Sequence, residues 1–328
     1  MADLLDRLRR HLPGADAVPM ASPRQDRAPE LPGHLEETSE GPLRIVREEV
    51  RQLPGPVPDP AACLVGEVTR HHVLLADPRL AGFHRDRALF VDIEATGLSR
   101  GAGTLAFLLG TAWFEGSSLV LEQLLAEHPG QERAALHRFL IRLQERSHFV
   151  SYNGKSYDLS VLQSRMVMHR FMDAPEAALR LRPHLDLLHS GRRVWRGILP
   201  DHRLRTLEAT LLGMVRDGDI PGARVPHLYF AFLAGGDAGG LLQVLEHNRR
   251  DILSMVSLSH VLLAALSPET GGSSAPVLRL NRARIHDRAG CWDAVVRELD
   301  ARTLEGLGAA AREEARRLLD RARRRTRD

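Results

Sequence analysis

Lysine is almost missing from this chain: Lys155 stands alone, and the rest of the 45 basic residues are arginine. High-GC codon usage accounts for most of that bias, although guanidinium forks also suit phosphate groups. Cysteine is nearly as scarce. Cys63 and Cys291 are the only two, far apart and without metal-type spacing. That excludes a disulfide framework and a zinc box, and it suits a reducing cytoplasm. Aromatic residues make up 5%. No apolar run approaches the roughly 20 residues of a membrane helix. The opening MADLLDRLRRHLPG alternates charges with leucines, unlike a secretory signal. Also missing are the G-x-S-x-G, H-E-x-x-H and G-x-G-x-x-G patterns. Gly154-Lys155-Ser156 resembles the end of a P-loop, but Phe149 stands where that loop needs glycine.

What remains is a chain of 328 residues, 43% hydrophobic, with a formal charge of +3 and an isoelectric point of 9.3. That length holds one ordinary domain plus extensions. A net charge this small does not select nucleic acid as a partner. Residues 1–35 read as an amphipathic helix and a Pro-rich tether. Residues 36–266 read as the main domain, divided into a strand and linker region (36–87) and a core (88–266). A turn is expected at Gly41-Pro42, with a strand after it. In the core, ALFVDIEA (88–95), LAFLLGTAWF (105–114), SLVLEQLL (118–125), HFVSY (148–152) and PHLDLL (183–188) read as five strands. The glycine-rich GLSRGAG follows the first of them. Helical spacing covers 130–146, 157–170 and most of the stretch to Leu266. Alternation of this kind predicts a mixed α/β sheet flanked by helices. PETGGSSAP, within a linker placed at 267–276, separates a helical extension at 277–328. Its ARIHDRAGCWDAVVREL looks like one tetratricopeptide helix pair, and a single repeat must dock on the main domain or on a partner protein.

Three blocks carry chemistry: VDIEATGL (91–98), VSYNGKSYDLSVL (150–162) and EHNRRDILS (246–254). Asp92 and Glu94, two apart on a strand, share one face. Carboxylates so close repel each other unless a cation neutralises them, and Mg²⁺ favours carboxylate oxygen. The strand ends just beyond, at the carboxyl edge where α/β sheets place their sites. Asp158 opens a helix, where a lone acid usually does no more than complement the helix dipole. His247 and Asp251, at i and i+4, share a helix face. Such a pair alone is more often a surface ion pair. In order and spacing the three blocks together fit a two-metal phosphodiesterase site. Candidate substrate contacts are Thr96 and Gly97 after Glu94, Asn153 and Lys155 before Asp158, and Arg192 and Arg193. The last two belong to a cluster with Trp195 and Arg196 that could hold phosphates and stack a base, or could equally be a helix with a core tryptophan. Asp186 reads as a cap at a strand–helix junction.

The pattern Asp-x-Glu, then Asn-x-x-x-Tyr-Asp, then His ahead of Asp resembles the DEDD superfamily of 3′–5′ exonucleases on the ribonuclease H-like fold. It is closer still to the YprB-like bacterial branch, through ETSEGP, VDIEATGLSRGAGTLAFLLG, YNGKSYDLSVLQSR, HLDLLHSGRRVWRGILP, LRTLEATLLGMVRDGDIPG and EHNRRDILSM. The resemblance covers roughly 36–266. It implies that Asp92, Glu94, Asp158 and Asp251 are the four metal-binding carboxylates for two Mg²⁺ or Mn²⁺ ions. His247 then matches the residue that orients or deprotonates the attacking water. Histidine-type members put four residues between that histidine and the last aspartate; here there are three, the tyrosine-type spacing. The resemblance implies a nucleic-acid substrate, most simply a single-stranded DNA or RNA end. Alternatives are a structure-specific endonuclease or RNA-hybrid nuclease on the same fold, and a non-catalytic binding module. The intact acidic set argues against the last.

Overall fold

A computed structural model describes residues 30–326, apart from 64, 66–67, 73–74, 76, 98–102, 172–178 and 268–274. The expected N-terminal helix, most of its tether, the glycine-rich turn after Gly97 and most of the 267–276 linker lie outside the described residues. The core is one mixed sheet of seven strands in the order β1-β2-β5-β4-β3-β6-β7. These are β1 His34–Thr38, β2 Gly41–Val50, β3 Ala88–Ala95, β4 Ala106–Glu115, β5 Ser118–Leu125, β6 His148–Ser151 and β7 His184–Asp186. Strands β3, β4 and β5 form an antiparallel meander, and β6 and β7 add in parallel on the far side of β3.

The sequence pattern predicts five strands in this sheet and a further strand after Gly41-Pro42. That further strand is β2, which joins the sheet antiparallel to β5, and β1, not expected, completes a hairpin with it. Its turn falls at Ser39-Glu40 rather than at Gly41-Pro42. There the Thr38 hydroxyl donates to the Gly41 carbonyl (2.7 Å) and accepts from the Glu40 amide (3.1 Å). That side-chain closure ends β1 and lets Gly41 begin β2.

Strand alternation splits the core into two layers. Leu89, Val91 and Ile93 of β3 pack with Trp113 and Val120 against helices α1 (Glu132–Glu145) and α2 (Asp158–Met168). Ala88 and Phe90 face the opposite way, with Phe114 and Leu121, toward α3 (Leu187–Val194) and the later helices. A short helix α4 (Leu204–Leu207) runs into one turn of π-helix, Glu208–Leu212, before α5 (Val225–Leu233) and the long α6 (Gly239–Leu266). By period two, Asp92 and Glu94 lie on the Phe90 side, the side that α6 covers.

Glu132 ties the first layer together. Its fully buried carboxylate accepts from the Ala106 amide of β4 (2.9 Å), from Arg165 Nε of α2 (2.7 Å), and from His169 (2.7 Å). Glu132→Ala removes the carboxylate that the buried Arg165 guanidinium and His169 share. The expected loss is about 3–5 kcal/mol in urea unfolding. A loss below about 1 kcal/mol would mean that α2 is held by its apolar contacts alone.

Beyond the linker the chain forms four helices, α7 Pro276–Arg288, α8 Trp292–Glu298, α9 Ala301–Glu305 and α10 Ala309–Arg325. A small core of its own gathers Leu280, Val295, Leu299, Leu307 and Leu318. The segment read as one tetratricopeptide-like helix pair forms α7 and α8, and α9 and α10 close the small core with them. They also dock on the main domain. Asn281, fully buried on α7, donates to the Val194 and Arg196 carbonyls at 2.9 Å each, and Arg282 donates to the Ala265 carbonyl at 3.0 Å. Among the described residues no helix is long and apolar enough to cross a membrane.

Candidate active site

Asp92 and Glu94 project from the end of β3 toward α6, which carries His247, Asn248 and Asp251 on the facing side. Asp158 enters from the first turn of α2. The four carboxylates sit close enough to perturb one another. Burial raises the Asp92 carboxyl well above its ordinary range, and the charges of Asp251, Glu94 and Asp158 raise it further. Glu94 is raised in the same way, by burial and then by Asp251, Asp158 and Asp219. Asp158 is pushed up to about 8, first by burial, then by Asp186 and Asp251. Asp251 is also raised by burial, against the pull of Arg216 and His247.

The turn that delivers Asp158 is built from backbone. Asn153 adopts a left-handed φ of 64°. Asp186 accepts from the Asn153 amide (3.0 Å), the Lys155 amide (3.0 Å) and the Leu188 amide (3.1 Å). It therefore caps α3 and pins the turn before α2, the structural part its sequence position suggests. Gly154 packs against Ser151, with no room for a Cβ: one would meet Ser151 Oγ at 2.3 Å.

The other substrate candidates are dispersed. The Thr96 hydroxyl accepts from the Leu105 amide (2.9 Å), and the Gly97 carbonyl accepts from the Tyr157 hydroxyl. The Lys155 ammonium lies 3.3 Å from Asp77. Arg193 donates to the Leu75 carbonyl, and Arg192 is exposed. Trp195 is buried at 4% exposure within the core, so a base-stacking role for it is excluded. Its ring fills the space between α3 and the helices that follow.

Several residues at the site gave no motif. Asn248 donates from Nδ2 to the Asp92 side chain (2.8 Å) and to the Asp92 carbonyl (3.1 Å), and its Oδ1 accepts from Gln123 (2.9 Å). Gly110 on β4 faces Asp92 in register, and only its missing side chain lets Asn248 approach. Asp219, from the loop after the π-turn, accepts from His247 Nδ1 at 2.8 Å. Arg216 lies 3.1 Å from Asp219 and 2.5 Å from Asp251, and its fork closes on the buried Glu208. Burial pushes the Asp219 carboxyl up, but the His247 hydrogen bond and the Arg216 guanidinium outweigh it and bring it down to about 2.

Among the described residues no three His, Cys, Asp or Glu side chains are near enough to clasp one ion unaided. The donor set still fits a hard divalent cation. All four donors are carboxylates, mutually destabilised, and Mg²⁺ binds through one or two carboxylates while water and substrate phosphate complete its shell.

The mixed sheet with its flanking helices, and the acidic cluster at the end of β3, define the class as a ribonuclease H-like domain. A family model described as the RNase_H superfamily matches residues 89–263, and the chain belongs to that superfamily. Its nucleases in general use divalent ions such as Mg²⁺ and act on nucleic acid. Within it the chain is similar to the uncharacterized protein YprB of Bacillus subtilis (strain 168), with 37% identity over 179 residues. The match covers 54% of this chain and 42% of that protein, so the chain spans less than half the length of its relative.

Proposed function

We propose that the chain is a DEDD-type 3′–5′ exonuclease of DNA or RNA that works with two Mg²⁺ or Mn²⁺ ions. The observation that carries this reading is the meeting of four carboxylates from three separate segments beside a histidine whose Nε2 lies 4.0 Å from both Glu94 and Asp251. Asp92, Glu94, Asp158 and Asp251 would hold the ions, whose chemistry is Lewis-acid activation of water and stabilisation of the leaving oxygen. His247, whose Nε2 is turned toward Glu94 and Asp251, accepts the proton of the attacking water. Asn248 keeps Asp92 from rotating away. Thr96, Gly97 and Asn153, at the turns beside Glu94 and Asp158, border the path of the substrate strand, and exposed Arg192 can meet a more distant phosphate. Lys155 and Arg193, engaged by Asp77 and by the Leu75 carbonyl, serve that path by shaping its walls. A cytoplasmic location suits the two unpaired cysteines.

The test is Mn²⁺-dependent digestion of end-labelled single-stranded DNA and RNA beside covalently closed circles. Stepwise loss from the 3′ end with circles intact is expected. Cut circles would replace the exonuclease with an endonuclease, and no cleavage of any substrate would overturn the reading. His247→Ala is expected to slow cleavage by about 10²–10⁴-fold. Cleavage at the parental rate would make the histidine a bystander.

A further inference from the structure

Resting on that reading, we propose that Asp219 is the positioning residue of the site, holding His247 in the one tautomer and orientation that present Nε2 to the reacting water. The contact is short and direct: Asp219 Oδ1 lies 2.8 Å from His247 Nδ1. In a neutral imidazole the ring nitrogen that faces a carboxylate carries the single proton, and the other nitrogen keeps its lone pair. That other nitrogen is Nε2. It lies 4.0 Å from Glu94 and from Asp251, too far for a hydrogen bond to either, and therefore free to accept one from a small molecule between them.

The carboxylate is itself anchored. Its side chain is 3% exposed, and its second oxygen receives Arg205 at 2.9 Å and Arg216 at 3.1 Å. Arg216 cannot follow a moving loop, because its fork is closed on Glu208, buried in the π-turn. A π-turn inserts an extra residue into the helix, and such turns recur at functional sites. Here it sets Glu208 where it locks the cation that locks Asp219. The same guanidinium touches Asp251, so one buried arginine aligns the histidine with the last carboxylate.

The rival account is that Asp219 only neutralises Arg205 and Arg216 and keeps the 213–219 loop folded. A double-mutant cycle separates the two. On a short end-labelled oligonucleotide with Mn²⁺, Asp219→Asn is expected to lower kcat by about 10²-fold, with KM and the half-saturating Mn²⁺ concentration within about 3-fold of the parent. In a His247→Ala background the same change is expected to alter the rate by less than about 3-fold, because the group it acts through is gone. Equal losses in both backgrounds, or a loss that appears chiefly as weaker Mn²⁺ dependence, would overturn the proposal. A second measurement needs neither activity nor a substitution at 219. Nitrogen-15 spectra of the histidine-labelled full chain, with the His247 signals assigned by their loss in His247→Gln, are expected to show Nδ1 protonated and Nε2 bare. The opposite tautomer would overturn the proposal even in an active enzyme. An inactive chain with the expected tautomer would sink the exonuclease reading and leave the part played by Asp219 standing.

Discussion

Replacing Asp92 with asparagine is expected to abolish nuclease turnover and to raise the melting temperature of the cation-free protein. The two effects have one cause. Asp92 is surrounded by Asp251, Glu94 and Asp158, and burial and those charges together hold its carboxyl well above the ordinary range. Without a cation, each raised carboxyl stays protonated in the fold at pH values where the unfolded chain has released its proton. The unfolded state then binds fewer protons, and stability falls as pH rises. The window runs from the ordinary carboxylate range up to the folded value, about 8 for Asp158. Cation-free protein is therefore expected to melt lower at pH 8.5 than at pH 6. Saturating Mn²⁺ should remove most of that difference, since binding to the ionised carboxylates stabilises the fold. The Asp92→Asn variant lacks the charge, so its cation-free form should melt higher than the parent at pH 8.5 and respond weakly to Mn²⁺. Losing about 4 kcal/mol of transition-state stabilisation with the ion corresponds to about 10³-fold in rate. A variant that cleaves within 10-fold of the parent, or that melts lower without cation, would remove Asp92 from the metal site.

The parts of this molecule that could be read from its sequence are those governed by local periodicity. The apolar run of β3 ending in D-x-E placed two acids on one face and marked a central strand. Ser118–Leu125 was legible to the residue because the Glu115-Gly116 turn marks a hairpin between it and the apolar run before it. His247 and Asp251 were paired by helical spacing alone. Strand β1 was not legible: HLEET is short and mostly exposed, and it becomes a strand only by pairing with β2. Trp195 and the nearby arginines read equally well as surface or core, and only the packing of α3 decides. Asp219 had no signal either. It lies 28 residues before His247, in a loop whose position depends on Arg216 finding Glu208. Asn248, by contrast, stood next to His247, and a lone glycine inside the apolar run of β4 was a sign that something approaches the strand closely.

That glycine supports the second large expectation. Gly110→Ala adds a single methyl group in the middle of β4, opposite Asp92. The new Cβ would lie 2.0 Å from Asn248 Oδ1 and 2.5 Å from Ile252 Cδ1, closer than atoms can stand. Strand β4 cannot retreat, because β3 and β5 bond it on both sides. The buried Asn248 and Ile252 side chains must give way, and with them the helix α6 that carries Asn248, His247 and Asp251 is expected to shift. Asn248 would then lose its bonds to Asp92 and Gln123, leaving buried polar groups unpaired. Overpacking of this kind costs about 1–3 kcal/mol. The loss in turnover is expected to be larger in proportion, about 10²-fold or more, because a displacement of roughly 1 Å in a reacting constellation has that effect. Adding Asn248→Ala to Gly110→Ala makes room for the methyl. Stability should then return in part while activity does not, since the side chain that holds Asp92 has gone. If Gly110→Ala alone melts and cleaves like the parent, α6 tolerates the shift and the alignment of the site does not depend on its close approach to the sheet. If the double variant recovers both properties, Asn248 only fills space, and Asp92 is held by the strand that bears it.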